Sequence, residues 1–109
     1  MEDLRRYDIR WANLDPTQGA EMAKTRPVVI VSRNELNRVL KTVTVCPLTS
    51  QLHPTWRTRL CVSAAGRDSE IAADQIRTVS ATRLGDKIDQ LDDESAAALR
   101  RLLTQMYGE

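Results

Sequence analysis

Thr25-Arg26-Pro27-Val28-Val29-Ile30-Val31-Ser32 is the stretch on which the fold turns, because it sets a permanent cation at the threshold of the most apolar run in the chain. Val28 to Val31 are all β-branched, which stiffens the backbone and fits a strand buried on both faces, hence a central one. Pro27 has no N–H for a sheet ladder and belongs at the strand's first residue, and Arg26 before it is biased toward an extended conformation. Arg26 is therefore expected at the rim of a rigid core. Its guanidinium, always charged and with a fixed fork of donors, suits a phosphate or a carboxylate. A surface ion pair capping the strand is the other reading.

Upstream, Tyr7 to Leu14 alternates, with Ile9 and Trp11 on one side and Arg10 and Ala12 on the other, as in a half-buried strand with Trp11 in the core. It ends at Asp15-Pro16, and residues 15–24 read as a surface loop returning the chain to Arg26. Downstream, Leu36, Val39 and Leu40 have helical spacing, which predicts a short helix with Ser32 or Asn34 as N-cap. Thr42 to Cys46 alternates as a strand stopped by Pro47, leaving Leu48-Thr49-Ser50-Gln51 as a hydroxyl-rich exit, and residues 51–55 as a loop. Thr58 to Val62 is a further strand, residues 64–68 a turn, Ser69 to Val79 extended again, and Arg83 to Ile88 an edge strand. The tail from Asp92 to Tyr107 is an amphipathic helix, capped by Asp92 or Asp93, with Leu99, Leu102, Leu103 and Met106 in one apolar stripe and Gly108 as its stop. Short strands followed by one terminal helix, without alternating strand–helix units, predict a mainly β domain: a small antiparallel barrel or sandwich covered on one side.

The length of 109 residues fits a single domain, 1–109, with one core. Its 41% hydrophobic and 28% charged residues are values of a soluble globular protein and exclude a disordered body. No apolar run approaches the roughly 20 residues of a membrane span, and the acidic start Met1-Glu2-Asp3 lacks the features of a signal peptide, so a cytoplasmic protein is expected. Cys46 and Cys61 read as reduced core thiols rather than a disulfide. With His53 the only histidine and no CxxC, no metal and no cofactor are expected. The net charge of +1 hides an asymmetry: −2 over residues 1–23, +4 over 24–56, +2 over 57–83 and −3 over 84–109. A basic middle between acidic ends lets one surface attract nucleic acid, although charges scattered over unrelated faces give the same tally.

Four blocks then stand in a telling order: Trp11-Ala12-Asn13-Leu14-Asp15-Pro16-Thr17-Gln18-Gly19-Ala20-Glu21, the Thr25–Ser32 stretch, Cys46-Pro47-Leu48-Thr49-Ser50, and Asp74-Gln75-Ile76-Arg77-Thr78-Val79. In order and spacing the chain resembles the MazF/PemK family of toxin endoribonucleases. The resemblance implies a small SH3-like antiparallel β-barrel of the CcdB/PemK kind with a C-terminal α-helix and a short helix between strands. It also implies a homodimer whose interface helps build an RNA groove, and metal-independent cutting of single-stranded RNA into 2′,3′-cyclic phosphate and 5′-hydroxyl ends. A cognate antitoxin would lay an extended segment across that groove.

Carried over residue by residue, Arg26 and Thr49 match the family's widely shared active-site pair, Glu21 a loop acid, and Asp74 an acid that some members use as base. In those members an Arg stands two positions before that acid; here the position is Ala72, which shifts weight onto Arg26 and Thr49. Glu21 is the candidate base, Arg26 the charge stabiliser, and Thr49 a hydroxyl donor to phosphate. Ser50, Gln75, Arg77, His53 and Trp56 join Asp74 as RNA-binding or supporting candidates. Each has a plainer reading: Thr49 and Ser50 as turn hydroxyls, Asp74 as the partner of Arg77 or of backbone amides, His53 and Trp56 as solvated loop side chains rather than base-stacking rings. Two other functions fit the same barrel. One is a gyrase-binding toxin, although that group acts through a C-terminal Trp-Gly-Ile and this chain ends Met106-Tyr107-Gly108-Glu109; the other is an RNA-binding barrel without catalysis.

Overall fold

The computed structural model describes residues 3–108; Met1, Glu2 and Glu109, which entered the reading of the chain's two ends, lie outside the described residues. The elements run β1 (Asp8–Asn13), β2 (Thr25–Ile30), α1 (Asn34–Val39), β3 (Thr42–Thr49), β4 (Arg59–Ala64), β5 (Arg67–Ala72), β6 (Arg77–Ser80), β7 (Leu84–Gln90) and α2 (Asp93–Tyr107). One antiparallel sheet in the order β4-β5-β3-β2-β1-β7, with β6 also paired to β3, curls into an open barrel. The mainly β fold with its C-terminal helix is the one expected.

β2 is central because both of its faces are apolar. Val29 and Val31 pack with Ile9, Cys46, Ile71 and Leu99 in the core beneath α2, whereas Val28 and Ile30 pack with Leu14, Val43, Val45 and Val79 on the other side. Burying each such side chain contributes about 1.5–3 kcal/mol, so this strand anchors both halves. It begins at Thr25, two residues before the expected start at Pro27. Thr25 and Arg26 pair only with β1, whereas the ladder to β3 ends at Val28↔Pro47, so the missing N–H of Pro27 costs no bond to β3.

Pro47 does not stop β3. The strand runs on to Thr49, and Pro47 falls where its outer edge changes partner, from β6 over Thr42–Val45 to β5 at Leu48 and Thr49. No ladder bond is required there, and a proline is tolerated. The extended run expected over Ser69–Val79 is likewise broken by a 3-10 turn at Ala73–Gln75, which lets β5 and β6 occupy different stretches of β3. Neither Ser32 nor Asn34 caps α1: the N-cap is Arg33, without a side-chain bond. The Ser32 hydroxyl accepts the Thr44 N–H at 3.1 Å and meets Asn37 Oδ1 at 2.6 Å, and Asn34 Oδ1 accepts the Arg6 N–H, so both are already engaged.

α2 starts as expected, with Asp92 Oδ1 accepting the Ser95 N–H at 2.7 Å, and its Leu99 is fully buried. Between β4 and β7 the sheet does not close by a ladder. The turn of the β4–β5 hairpin is instead latched to β7 by the Ala65 N–H donating to Asp89 Oδ2 at 2.6 Å. Both cysteines are free thiols, but only Cys46 is buried; Cys61 is exposed on β4, correcting its assignment to the core. Burial, and secondarily Asp74, push the Cys46 thiol up to about 12.

Candidate active site

Continuing the β2–β3 register two residues beyond Val28↔Pro47 sets Arg26 opposite Thr49, at the mouth of the barrel where the two strands leave the core. Both side chains line one cavity of about 690 Å³, together with Trp11, Met22, Ser50 and Arg67. The Arg26 guanidinium is held from one side only: Nε donates to the Ala23 carbonyl at 3.1 Å and Nη1 to Met22 Sδ at 3.4 Å. A thioether is a weak acceptor, so most of the five-donor fork is available to a ligand. Thr49 Oγ1 accepts the Gln51 N–H at 3.1 Å, which leaves its own proton to donate inward. Among the described residues the cavity lining has two arginines and no carboxylate. Such a lining attracts an anion, and the guanidinium fork suits a phosphate or a carboxylate.

The loop over residues 15–24 reaches the cavity through Met22. Its base is closed by Asp15 Oδ1 accepting the Lys24 N–H at 2.9 Å and by the Leu14 N–H donating to the Lys24 carbonyl at 3.0 Å. Gln75 Oε1 accepts the Met22 N–H at 3.3 Å, Arg77 Nη1 donates to the Leu14 carbonyl at 3.2 Å, and Arg83 donates to the Asn13 and Asp15 carbonyls. Gln75 and Arg77 thus brace the loop rather than line the cavity. Glu21 is exposed on the same loop and outside the lining, with Oε1 accepting the Gln18 N–H at 2.9 Å.

Asp74, His53 and Trp56 gather elsewhere, around Arg59. The partner of Asp74 is not Arg77 but Arg59, whose Nε donates to Oδ1 at 2.8 Å from β4, where Arg59 faces Ala72 across the ladder. The guanidinium missing at position 72 is thus supplied by the neighbouring strand. Burial alone would raise the Asp74 carboxyl, but hydrogen bonds from Arg59, Thr58 and its own backbone outweigh it and hold the group below the usual range. Arg59 also lies 3.8 Å from the fully buried Glu70, which accepts the His53 backbone N–H at 2.8 Å. Over Arg59 stacks Trp56, 4.6 Å from the guanidinium carbon, and against Trp56 stacks His53, with centroids 3.9 Å apart and planes within 10°.

Asp89, through the Ala65 and Gln90 amides, and Asp92, through the Ser95 amide and hydroxyl, are depressed like Asp74. A depressed folded value means stabilisation fully present above the unfolded value of 3.8 and lost as pH falls through the folded one. The urea midpoint is therefore expected to be lower at about pH 3 than at about pH 6. In Asp74→Asn the drop is expected to be smaller.

Of the residues singled out from the sequence, Arg26, Thr49 and Ser50 share one cavity, whereas the candidate base Glu21 and the supporting candidates Asp74, Gln75, Arg77, His53 and Trp56 lie outside its lining. The sequence reading also missed two residues. Trp11 was expected in the core, yet it is 43% exposed and lines the cavity. The alternation itself holds, since the ladder to β2 runs unbroken from Ile9↔Val29 to Trp11↔Pro27 and keeps Trp11 on the face of Ile9, but at Trp11 that face opens into the cavity instead of the closed core. Arg67 was passed over inside a turn; its signal was the Ala65-Gly66 pair just before it, which makes a hairpin and sets Arg67 first on the returning strand.

Comparison with known proteins places this chain among relatives. A family model described as PemK-like, MazF-like toxin of type II toxin–antitoxin system matches residues 5–107. A Bacillus subtilis protein named Endoribonuclease EndoA is 37% identical over 97 residues, covering 84% of this chain and 83% of its own. A Staphylococcus saprophyticus protein named Endoribonuclease MazF is 34% identical over 110 residues, covering 96% of this chain and 92% of its own. The fold matches the crystal structure of MazF from Deinococcus radiodurans with a TM-score of 0.88 at 22% identity over the whole of both chains. It also matches a MazE–MazF structure from the same organism, with a TM-score of 0.80 at 19% identity over 99% of this chain and 98% of that one.

Proposed function

Because this chain belongs to the PemK-like, MazF-like toxins of type II toxin–antitoxin systems, we propose that it is an endoribonuclease cutting single-stranded RNA at short sequences, with Arg26 and Thr49 at the scissile phosphate. The observation that carries this reading is the single carboxylate-free cavity shared by Arg26 and Thr49. The 2′-hydroxyl of the substrate attacks the adjacent phosphorus; the new P–O2′ bond forms as the P–O5′ bond breaks, giving a 2′,3′-cyclic phosphate and a 5′-hydroxyl. Arg26 neutralises charge on the pentacoordinate phosphate and donates a hydrogen bond toward the departing oxygen, which takes its proton from solvent water to become the 5′-hydroxyl, and the Thr49 hydroxyl donates a hydrogen bond to a non-bridging oxygen. Ser50 assists from the same wall.

The 2′-hydroxyl proton passes to Glu21 when its loop folds over the cavity. Asp74, engaged by Arg59, is unsuited to that role and holds the His53–Trp56 stack in place instead. That stack and Trp11 offer ring faces to unpaired bases.

The protein acts as a homodimer, for which the exposed Leu36 and Val39 of α1, with Leu40 just beyond it, supply an apolar face. Its partner is a cognate antitoxin whose extended segment covers the RNA path. Among the described residues no helix is long and apolar enough to cross a membrane.

Incubation with a long single-stranded RNA in EDTA, followed by mapping of the cut ends, tests the reading. Discrete cuts bearing cyclic phosphate are expected. Binding without cuts leaves a non-catalytic RNA-binding barrel, and neither binding nor cuts overturns the reading. Thr49→Ala is expected to slow cutting by about tenfold, one donor of modest strength being lost, while Thr49→Ser keeps most of the rate. An unchanged rate in Thr49→Ala removes that residue from the chemistry.

A further inference from the structure

The cavity is larger than a scissile phosphate requires. A volume of about 690 Å³ is in the range of sites that enclose drug-sized ligands. Arg26 and Thr49 occupy the β2–β3 side of it, and a second cation, Arg67, lines the wall formed by the β4–β5 hairpin. Ser69 stands two residues further along β5, on the same strand face, and also lines the cavity.

This second wall is held in position. Ala64 pairs with Arg67 across a two-residue turn, Ala65-Gly66, with φ of 51° and 77°. Positive φ at both residues is the geometry of a tight type I′ hairpin. The turn is latched to β7 by the 2.6 Å bond from the Ala65 N–H to Asp89. The Arg67 side chain has no hydrogen bond, ion pair or ring contact among the described residues, and its neighbours in the lining are Ala64, Ala65 and Ser69. A fixed backbone carrying an uncommitted guanidinium, beside a hydroxyl and facing a carboxylate-free space, is an anion subsite distinct from the one at Arg26.

We infer that Arg67, with Ser69, binds an RNA phosphate next to the scissile one, so that the strand crosses the cavity from the β2–β3 wall to the hairpin. The inference rests on the ribonuclease reading. It makes Arg67 a positioning residue, whose loss falls on KM rather than kcat, whereas the loss of Arg26 falls on kcat.

The probe is a short single-stranded RNA containing the mapped cut site, with a 2′-O-methyl group at the nucleotide whose hydroxyl would attack. Its binding is followed by fluorescence anisotropy across a salt series. Arg67→Gln is expected to bind about tenfold more weakly at low salt and to reduce the slope of log K against log salt by about 0.7, the contribution of one phosphate contact on a single strand. Replacing one flanking phosphate by a neutral methylphosphonate is expected to weaken the wild type but not Arg67→Gln. A urea midpoint equal to that of the wild type shows that Arg67→Gln is folded.

Equal affinity and slope in the variant overturn the inference, as does a methylphosphonate penalty that persists in it at every position. Unchanged RNA binding with weakened binding of a polyglutamate peptide also overturns it and gives Arg67 to an acidic protein segment. Failure of the wild type to bind the oligonucleotide at any salt overturns the ribonuclease reading itself, and this inference with it.

Discussion

Arg26→Ala is expected to lower the single-turnover rate of RNA cutting by about 10²–10³, the loss typical of a donor aimed at developing charge, and to abolish growth arrest on expression. The size of the effect follows from geometry. The guanidinium sits at the start of a strand whose next residues, Val28 to Ile30, are fully buried, so it cannot follow a ligand that shifts. Its own bonds are to one loop carbonyl and one sulfur, both weak competitors for a phosphate. Those bonds lie at the partly exposed rim, so the urea midpoint is expected to stay close to that of the wild type. Arg26→Lys keeps the charge but loses the fork, and an intermediate rate is expected. An Arg26→Ala protein that still arrests growth and cuts at an undiminished rate removes Arg26 from the mechanism.

Arg59→Met is the substitution expected to cost the most stability, about 3 kcal/mol, because it leaves the fully buried Glu70 beside an apolar chain. Arg59 serves three partners at once: Asp74 at 2.8 Å, Glu70 at 3.8 Å and the face of Trp56 at 4.6 Å. Methionine fills much of the volume and satisfies none of them. The value lies at the low end for a broken buried pair, since Glu70 keeps the His53 amide. Urea unfolding by far-UV circular dichroism measures it. Cutting by Arg59→Met at a temperature where it remains folded is expected to persist, because neither Arg59 nor Asp74 lines the cavity; a loss as deep as that of Arg26→Ala would return Asp74 and Arg59 to the chemistry.

What could be read from the residues was whatever local pattern alone decides. Four β-branched residues in a row gave a two-faced strand, and the stripe ending at Met106 gave the terminal helix. The Arg26–Thr49 pairing was legible only through resemblance to a family, since no periodicity says that two residues 23 positions apart in the chain share a cavity. The misreadings have a common origin in pairing. Pro47 looked like a stop because its neighbours across the sheet were unknown; with β6 on one stretch and β5 on the next, its missing N–H is free. Trp11 looked like core because Ile9 on the same face is, and nothing local shows that this face opens into the cavity where Trp11 meets Pro27 across the ladder. Asp74 was matched to the nearest arginine in the chain, whereas the strand ladder brings Arg59 from 15 residues away.

The change of partner along β3 also has a mechanical side. Arg26 belongs to the half of the sheet built on β1 and β2. Arg67 belongs to the β4–β5 hairpin, whose backbone pairs with the rest of the sheet at the last two residues of β3 and whose turn is latched to β7, with Ile71 and the Arg59–Asp74 pair tying its far end to the core. A strand of nucleic acid gripped on both walls works as a rivet across that seam. Its signature is slower amide exchange in the hairpin, far from any bond being made or broken, and greater resistance of the loaded protein to proteolytic nicking between residues 64 and 67.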